Sequence, residues 1–343
     1  MAGESQMKRD QAIGAAKVCV RRSFIARGAL GFAGVAAACA QSVTPSRQAR
    51  VAITLDLEMS RNFPTWEQTR WDYEKGNLDD ATKHYAVEVA RRVKARGGVV
   101  HFFLVGAALE QEDVAWLKQL LADGHRVGNH TYDHVNVKAT KLEQIQFRFQ
   151  RAPWLIAGRN AATVIRDNIR LCNEALTTRL ESVPVGFRTP GGFGNGLADA
   201  PHVQQMLAEL GFKWCSSKYP GHVSPKPGVE PDAAMVAALV AAQAQAQPFR
   251  YPSGLVEIPM SPISDIGAFR TGRWQLDWFL RVTRAALEHC LDRGLVFDFL
   301  AHPSCLGVVD PECRTVEMIC DLVAKRREAA ALTDLDAVAR SVG

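Results

Sequence analysis

Short apolar runs alternate with amphipathic segments along most of this chain. The apolar runs are rich in Val, Ile, Leu and Phe, which is typical of strands buried on both faces of a parallel sheet. Asp, Gly or Pro bound the segments between them, as at helix ends. Strand and helix alternate without a fixed repeat, which indicates an α/β fold. The pattern predicts six or seven parallel strands, near residues 51–55, 99–105, 126–128, 184–188, 212–216, 255–258 and 295–301.

The helices follow from apolar spacing and from residues that cap or end a helix. Asp113 is expected to cap the second helix, and an Ala- and Gln-rich stretch is helical by composition alone. The predicted helices cover residues 81–95, 113–122, 142–150, 161–180, 199–210, 232–247, 274–291, 311–328 and 334–340.

Charged and ionisable side chains follow four of the predicted strands. Because the carboxyl ends of parallel strands meet at one edge of a sheet, and ligand sites form there, these side chains are expected to converge. They are Asp56 and Glu58 after the first strand, His130 and His134 after the third, Arg188 after the fourth and His302 after the last.

The two histidines, four residues apart, are half of a metal site. One helical turn between His130 and His134 would point both rings the same way. Zn²⁺ and similar ions take a third protein ligand, usually a carboxylate, and keep an open position for water. Period two puts Asp56 and Glu58 on one side of an extended strand, so either could complete the site. The alternative is that these acids only cap a helix or end the strand.

Arg188 and His302 each allow a structural and a catalytic interpretation. A fixed guanidinium at a strand end can hold a catalytic Asp, or it can form a purely structural ion pair. An isolated histidine at a strand end is usually structural. Convergence of His302 with the other polar groups favours a role in the site.

Four short motifs in this order resemble the polysaccharide deacetylases of the NodB type, carbohydrate esterase family 4. The resemblance covers about residues 50–305 and implies a distorted (β/α)₇ barrel in a single catalytic domain. The motifs are Thr54-Leu55-Asp56-Leu57-Glu58, His130-Thr131-Tyr132-Asp133-His134, Arg188-Thr189-Pro190-Gly191 and Leu300-Ala301-His302.

The first motif departs from the family pattern, which has two adjacent acids. Leu57 stands where the second acid is usual, and Glu58 is the nearest replacement. We interpret this as a subgroup with an Asp-x-Glu first motif. Glu58 is then the predicted metal carboxylate, with Asp56 as the alternative.

The resemblance implies a metal-dependent hydrolase that removes acetyl groups from N- or O-acetylated carbohydrate. Its cofactor would be a divalent metal, Zn²⁺ or else Co²⁺ or a similar ion, bound by Glu58, His130 and His134. Asp56 would act as general base and His302 as general acid, and Arg188 would hold Asp56. The aromatic candidates for stacking on sugar rings are Trp66, Trp71, Tyr73 and Trp214.

Two other functions remain open. Allantoinase-like relatives of the family hydrolyse another non-peptide C–N bond, which would make the substrate a small amide. The other alternative is a non-catalytic glycan-binding protein that has lost its metal. A serine hydrolase is disfavoured because the chain lacks a G-x-S-x-G motif. Thr131 replaces the Glu of a H-E-x-x-H zinc protease motif.

Residues 1–40 are expected to be an export signal. Arg21 and Arg22 precede Phe24 and a modest apolar run, which resembles a twin-arginine signal, and Ala38-Cys39-Ala40 fits a cleavage site. A linker at 41–49 would precede a catalytic domain at 50–343 in a periplasmic or extracellular protein. Lipid attachment at Cys39 is the less favoured alternative.

Charge and hydropathy argue against nucleic acid as a partner and against a membrane-spanning segment. Of the net charge of +5, residues 1–40 supply +4, so the rest is close to neutral and lacks the basic face of a nucleic-acid-binding protein. No apolar run reaches the roughly 18–20 residues of a membrane span. The six cysteines beyond the leader fit no zinc or redox spacing, and we expect mostly buried free thiols rather than disulfides. The sequence leaves the oligomeric state open.

Overall fold

The central element of the fold is the buried strand β1, Ala49–Leu57, which carries the first motif. The computed structural model describes residues 48–60, 75–221 and 224–342. These all belong to the second of two units of the chain, Pro45–Gly343. The predicted export signal lies outside the described residues, as do residues 61–74.

Within the described residues, nine strands form one sheet in the order β6-β7-β5-β4-β3-β2-β1-β8, with β9 also paired to β1. Every pairing is parallel except that between β6 and β7. After β1 the strands are β2 Val100–Leu104, β3 Arg126–Asn129, β4 Gly186–Phe193, β5 Trp214–Lys218, β6 Phe249–Arg250, β7 Val256–Glu257, β8 Val296–Ala301 and β9 Ala330–Thr333.

The sheet curls into a distorted, partly open barrel, which confirms the predicted fold class. The chain just beyond β7 meets β8 across the opening, where the Ser261 N–H donates to the Asp298 carbonyl over 2.9 Å. Strand β1 is almost fully buried, because β2, β8 and β9 flank it and helices cover its outer face.

The helices surround this sheet. Capping side chains fix where several begin: Asp79 accepts the Thr82 N–H, and Asn160 accepts the Thr163 N–H. The helices are α1 Asp80–Ala95, α2 Ala115–Ala122, α3 Phe147–Arg151, α4 Ala161–Leu180, α5 Pro201–Glu209, α6 Ala233–Gln245, α7 Leu276–Arg293, α8 Pro303–Val309, α9 Arg314–Ala324 and α10 Leu335–Arg340.

All seven predicted strands are present, but several other elements differ from the prediction. Strands β6 and β9 were not predicted, because two and four residues carry too little pattern. The helix expected at 142–150 is split into a 3₁₀ turn, Leu142–Gln144, and α3. Helix α8 and a π-helix, Ile266–Thr271, were also missed.

The six cysteines of the described region are buried free thiols, as predicted. Within the same residues, no helix is both long and apolar enough to cross a membrane.

Candidate metal centre

Five of the six predicted site residues line one cavity of about 320 Å³ at the carboxyl ends of the strands, and Arg188 lies directly behind it. Glycines 191 and 192 and the π-helix form other parts of its wall. The convergence expected from the strand ends is therefore present in the structure.

Strand β1 delivers both carboxylates to this cavity. Its extended run ends where the Glu58 N–H donates to the Asp56 carbonyl over 3.1 Å. The Ser304 hydroxyl, at the start of α8, donates to the Glu58 carbonyl over 2.7 Å. Both carboxylates are buried, with 4% of Asp56 and 2% of Glu58 exposed.

A loop brings the two histidines together, instead of the helical turn that their spacing suggested. Thr131 and His134 adopt left-handed backbone conformations, with φ of 60° and 59°. The Thr131 N–H donates to Asn129 Oδ1, and the Thr131 hydroxyl accepts the Val135 N–H. These bonds fix a sharp turn in which the ring centroids of His130 and His134 lie 5.1 Å apart.

Glu58, His130 and His134 each direct one ligand atom towards the others, and all three atoms lie within 4.8 Å of one another. Glu58 Oε2 is 2.6 Å from His134 Nε2 and 3.4 Å from His130 Nε2. It is buried and has no well-directed hydrogen bond from any described residue. A buried, unsatisfied carboxylate oxygen facing two imidazole nitrogens fits a divalent metal.

The protonation states suit metal binding. His130 Nδ1 lies 3.0 Å from the Arg188 carbonyl, which can only accept, so His130 Nε2 keeps its lone pair for the triad. Burial lowers the pKa of His134 to about 4, although the Glu58 charge opposes this, so the ring is neutral at pH 7. Burial alone would raise the pKa of Glu58. The charge that His134 carries below its own pKa, the Lys75 charge and contacts with both imidazoles hold the Glu58 pKa well below its usual range.

The second oxygen of Glu58 has partners that the sequence did not suggest. Lys75 Nζ and the Ser60 hydroxyl both bond Oε1, and Lys75 also donates to Ser60 over 2.8 Å. No periodic pattern marks Lys75, so sequence analysis did not single it out.

Arg188 is fully buried and binds two carboxylates. Its Nη1 is 3.1 Å from Asp56 Oδ1 and 2.8 Å from the Thr54 hydroxyl, and its Nη2 is 2.6 Å from Asp298 Oδ2. The Phe103 ring packs against the guanidinium, 4.2 Å from centroid to Cζ. Asp56 Oδ2 is left facing the cavity, 3.7 Å from His130 Nε2.

Asp298 was not among the predicted site residues. Burial raises the pKa of its carboxyl to about 6, while the Arg188 charge and a hydrogen bond from Thr54 act in the opposite direction. A charged residue inside the apolar run of β8 was the available signal, because a buried acid needs a partner.

His302 is oriented by Asp265, which sequence analysis also missed. Asp265 accepts the His302 backbone N–H over 2.7 Å and lies 2.9 Å from Nδ1. His302 Nε2 faces the cavity, 3.8 Å from Asp56 Oδ2 and from Glu58 Oε1. Burial alone would lower the pKa of His302, but the Asp265 charge and hydrogen bond raise it above its ordinary value.

Trp214 cannot stack on a sugar, contrary to one expectation. Its side chain is buried beneath Gly186, and its indole N–H donates to Asp336 over 2.8 Å. Trp66, Trp71 and Tyr73 lie outside the described residues.

Comparison with known families shows which proteins part of this chain resembles. The sequence model of the polysaccharide deacetylases matches residues 77–213, which include His130, His134 and Arg188. Over this range the chain is similar to the polysaccharide deacetylases. Asp56, Glu58 and His302 lie outside the matched range, so the Asp-x-Glu subgroup stays a hypothesis. No curated protein matches the chain.

Solved structures share the fold of this chain. A protein of Mycobacterium smegmatis assigned as a polysaccharide deacetylase is 17% identical, with a TM-score of 0.57 over 88% of this chain and 92% of its own. One from Pseudomonas aeruginosa PAO1, assigned likewise, is 13% identical, with a TM-score of 0.60 over 86% and 91%. The Puue allantoinase is 15% identical, with a TM-score of 0.58 over 87% and 91%.

Proposed function

We propose that this protein is a metal-dependent hydrolase that removes acetyl groups from N- or O-acetylated carbohydrate. The observation that carries the proposal is the grouping of the Glu58, His130 and His134 ligand atoms. Beside them lie the Asp56 carboxylate, which Arg188 binds, and the His302 imidazole, which Asp265 binds. The match of residues 77–213 to the polysaccharide deacetylase model supports the same reaction class.

Glu58, His130 and His134 would hold the metal, with Zn²⁺ as the first candidate and Co²⁺ as a substitute. When bound, such an ion polarises the acetyl carbonyl and lowers the pKa of a water. Two neutral imidazoles and one carboxylate are the ligand set of many catalytic zinc sites, which keep one position open.

Asp56 is the proposed general base. One of its oxygens is held by Arg188, and the other faces the cavity between His130 and His302. The free oxygen accepts the proton of the attacking water, while the guanidinium keeps the carboxylate from turning away.

His302 is the proposed general acid. Because Asp265 accepts from its Nδ1, the proton to be transferred is on Nε2, the atom that faces Asp56 and Glu58. The raised pKa of His302 keeps a larger fraction of the imidazolium at neutral pH. The ring then protonates the leaving nitrogen or oxygen.

The space around the centre supports an extended substrate. The site cavity of about 320 Å³ adjoins a second of about 430 Å³, and both are lined by His134 and Gly191. Gly191 has φ of 74° and nothing within 4 Å of where a Cβ would lie, so the wall that the two cavities share is open at this residue.

An allantoinase-like reaction on a small amide is the second candidate, favoured by the shared fold of the Puue allantoinase. The same base and acid would serve that C–N hydrolysis. A non-catalytic glycan-binding role is disfavoured, because it would not need Arg188 and Asp265 to orient the two catalytic groups. We also propose that residues 1–40 direct export to the periplasm or beyond.

Acetate release by residues 41–343 tests the proposal. The protein is stripped with a chelator, reloaded with Zn²⁺ or Co²⁺, and given N-acetylglucosamine oligomers, peptidoglycan, acetylated xylan or allantoin. Metal-restored acetate release is expected, and it should be lost in His130→Ala and kept in His202→Ala, which changes an exposed histidine on α5. Turnover of allantoin alone would favour the second candidate, and metal binding without turnover of any substrate would contradict both.

A further inference from the structure

Each carboxylate of the centre has one oxygen held by a buried cation and the other turned to the cavity. For Asp56 the cation is Arg188, on Oδ1, and for Glu58 it is Lys75, on Oε1. The Lys75 and Glu58 side chains are only 4% and 3% exposed. The first pair belongs to the proposed catalytic machinery, whereas the second has no assigned role.

Two donors occupy Oε1 of Glu58. Lys75 Nζ and the Ser60 hydroxyl both reach that oxygen, and the 2.8 Å bond between them closes a three-membered network. Ser60 is fixed in turn, because its backbone N–H donates to the Ser304 hydroxyl over 2.7 Å. Oε2 receives none of these bonds and faces the two imidazoles.

We propose that Lys75 is a positioning residue of the metal centre, whose ammonium group holds Glu58 Oε1 so that the carboxylate binds a divalent metal through Oε2 alone. The inference rests on the proposed metal centre. A carboxylate that chelates with both oxygens would occupy the position that a catalytic water or the substrate carbonyl needs.

The charge of Lys75 should have a second effect in the same direction. An ammonium group on Glu58 draws electron density from the carboxylate, which makes it a weaker ligand and leaves the metal a stronger Lewis acid. Lys75 therefore lowers metal affinity in favour of reactivity. A role that was only structural would not change the coordination number.

The test measures metal binding in the absence of substrate. Wild type, Lys75→Met, Lys75→Arg and Ser60→Ala are compared for Zn²⁺ affinity, by chelator competition, and for the visible absorption spectrum of bound Co²⁺. The control is Lys83→Met, which removes a lysine of α1 that pairs with the exposed Asp80.

Lys75→Met should bind Zn²⁺ more tightly, by about 10- to 100-fold. Removing an outer-shell partner usually changes affinity by such a factor in the opposite direction. Its Co²⁺ spectrum should weaken as the coordination number rises. Lys75→Arg should restore the wild-type values, Ser60→Ala should shift both in the same direction by less, and Lys83→Met should leave both unchanged.

Affinity and spectrum that stay at wild-type values in Lys75→Met would overturn the inference while leaving the proposed hydrolase intact. Looser binding in Lys75→Met and in Ser60→Ala, with wild-type circular dichroism, would overturn it too. The proposed hydrolase fails separately, if wild type binds metal and releases no acetate. A wild type that binds no metal overturns both.

Discussion

Replacing Arg188 with Met should destabilise the fold, and more so at pH 8 than at pH 5. The change removes the cation that bonds Asp56 and Asp298 and leaves two buried carboxylates side by side. Breaking a buried ion pair by removing one partner typically costs about 3–5 kcal/mol. The free energy of unfolding of an ordinary domain is about 5–15 kcal/mol. The variant should therefore still fold, but with a much smaller free energy of unfolding.

The pH dependence follows from Asp298. Its pKa in the folded protein is about 6, above the ordinary 3.8, so between these values the folded state binds the proton more tightly. Stability from that proton is present at low pH and is lost as pH rises through about 6. Arg188 lowers this pKa, and its removal raises it further. At pH 5 the Asp298 of the variant is therefore neutral and the penalty is smaller.

Guanidinium unfolding followed by circular dichroism at both pH values measures the difference. Arg284→Met is the control, since its guanidinium is 49% exposed and 3.8 Å from Glu288, and it should change stability by less than about 0.5 kcal/mol. Adding Asp298→Asn to Arg188→Met should recover about 1–3 kcal/mol at pH 8 by removing an unpaired charge. Equal penalties at pH 5 and pH 8, with no recovery in the double variant, would refute the reasoning.

Two further predictions concern the acid and the leader. Asp265→Asn should move the alkaline limb of the kcat/KM–pH profile to lower pH, because the pKa of His302 falls without the carboxylate charge; a limb at the wild-type pH would contradict the assignment of His302 as the acid. Changing Arg21 and Arg22 to Lys should retain a reporter fused to residues 1–40 in the cytoplasm, as cell fractionation would reveal, and continued export would argue against a twin-arginine signal.

The sequence predicted the strands that carry the site, because the apolar run of a strand and the polar residues that follow it are both local signals. A run such as Val51–Leu55 is apolar enough to be buried on both faces, and the acids after it mark its end. The same logic placed His302 directly after β8, as observed, and Arg188 at a strand end, whereas β4 continues beyond Arg188 to Phe193. Convergence then followed from the parallel arrangement, without knowledge of any contact.

The groups behind those residues had no comparable signal. Asp265 caps a π-helix, whose period differs from that of an α-helix, and Lys75 follows a stretch of sequence without periodicity. The left-handed turn at His134 was equally hidden, since Gly or Asn usually marks such a conformation. Such partners depend on tertiary packing, which a local pattern does not encode.

The pairing of β1 with β8 makes the centre a late product of folding. The Thr54 hydroxyl bonds Asp298 on β8, 244 residues further along the chain, and His302 lies directly after that strand. Contacts of such long sequence separation form slowly, because the intervening loop must close first. A chain that ends before β8 would carry both carboxylates and both metal-binding histidines without the acid or the strand that aligns them. Metal uptake during refolding should therefore coincide with the final kinetic phase, which would make a bound ion a spectroscopic reporter of completed folding.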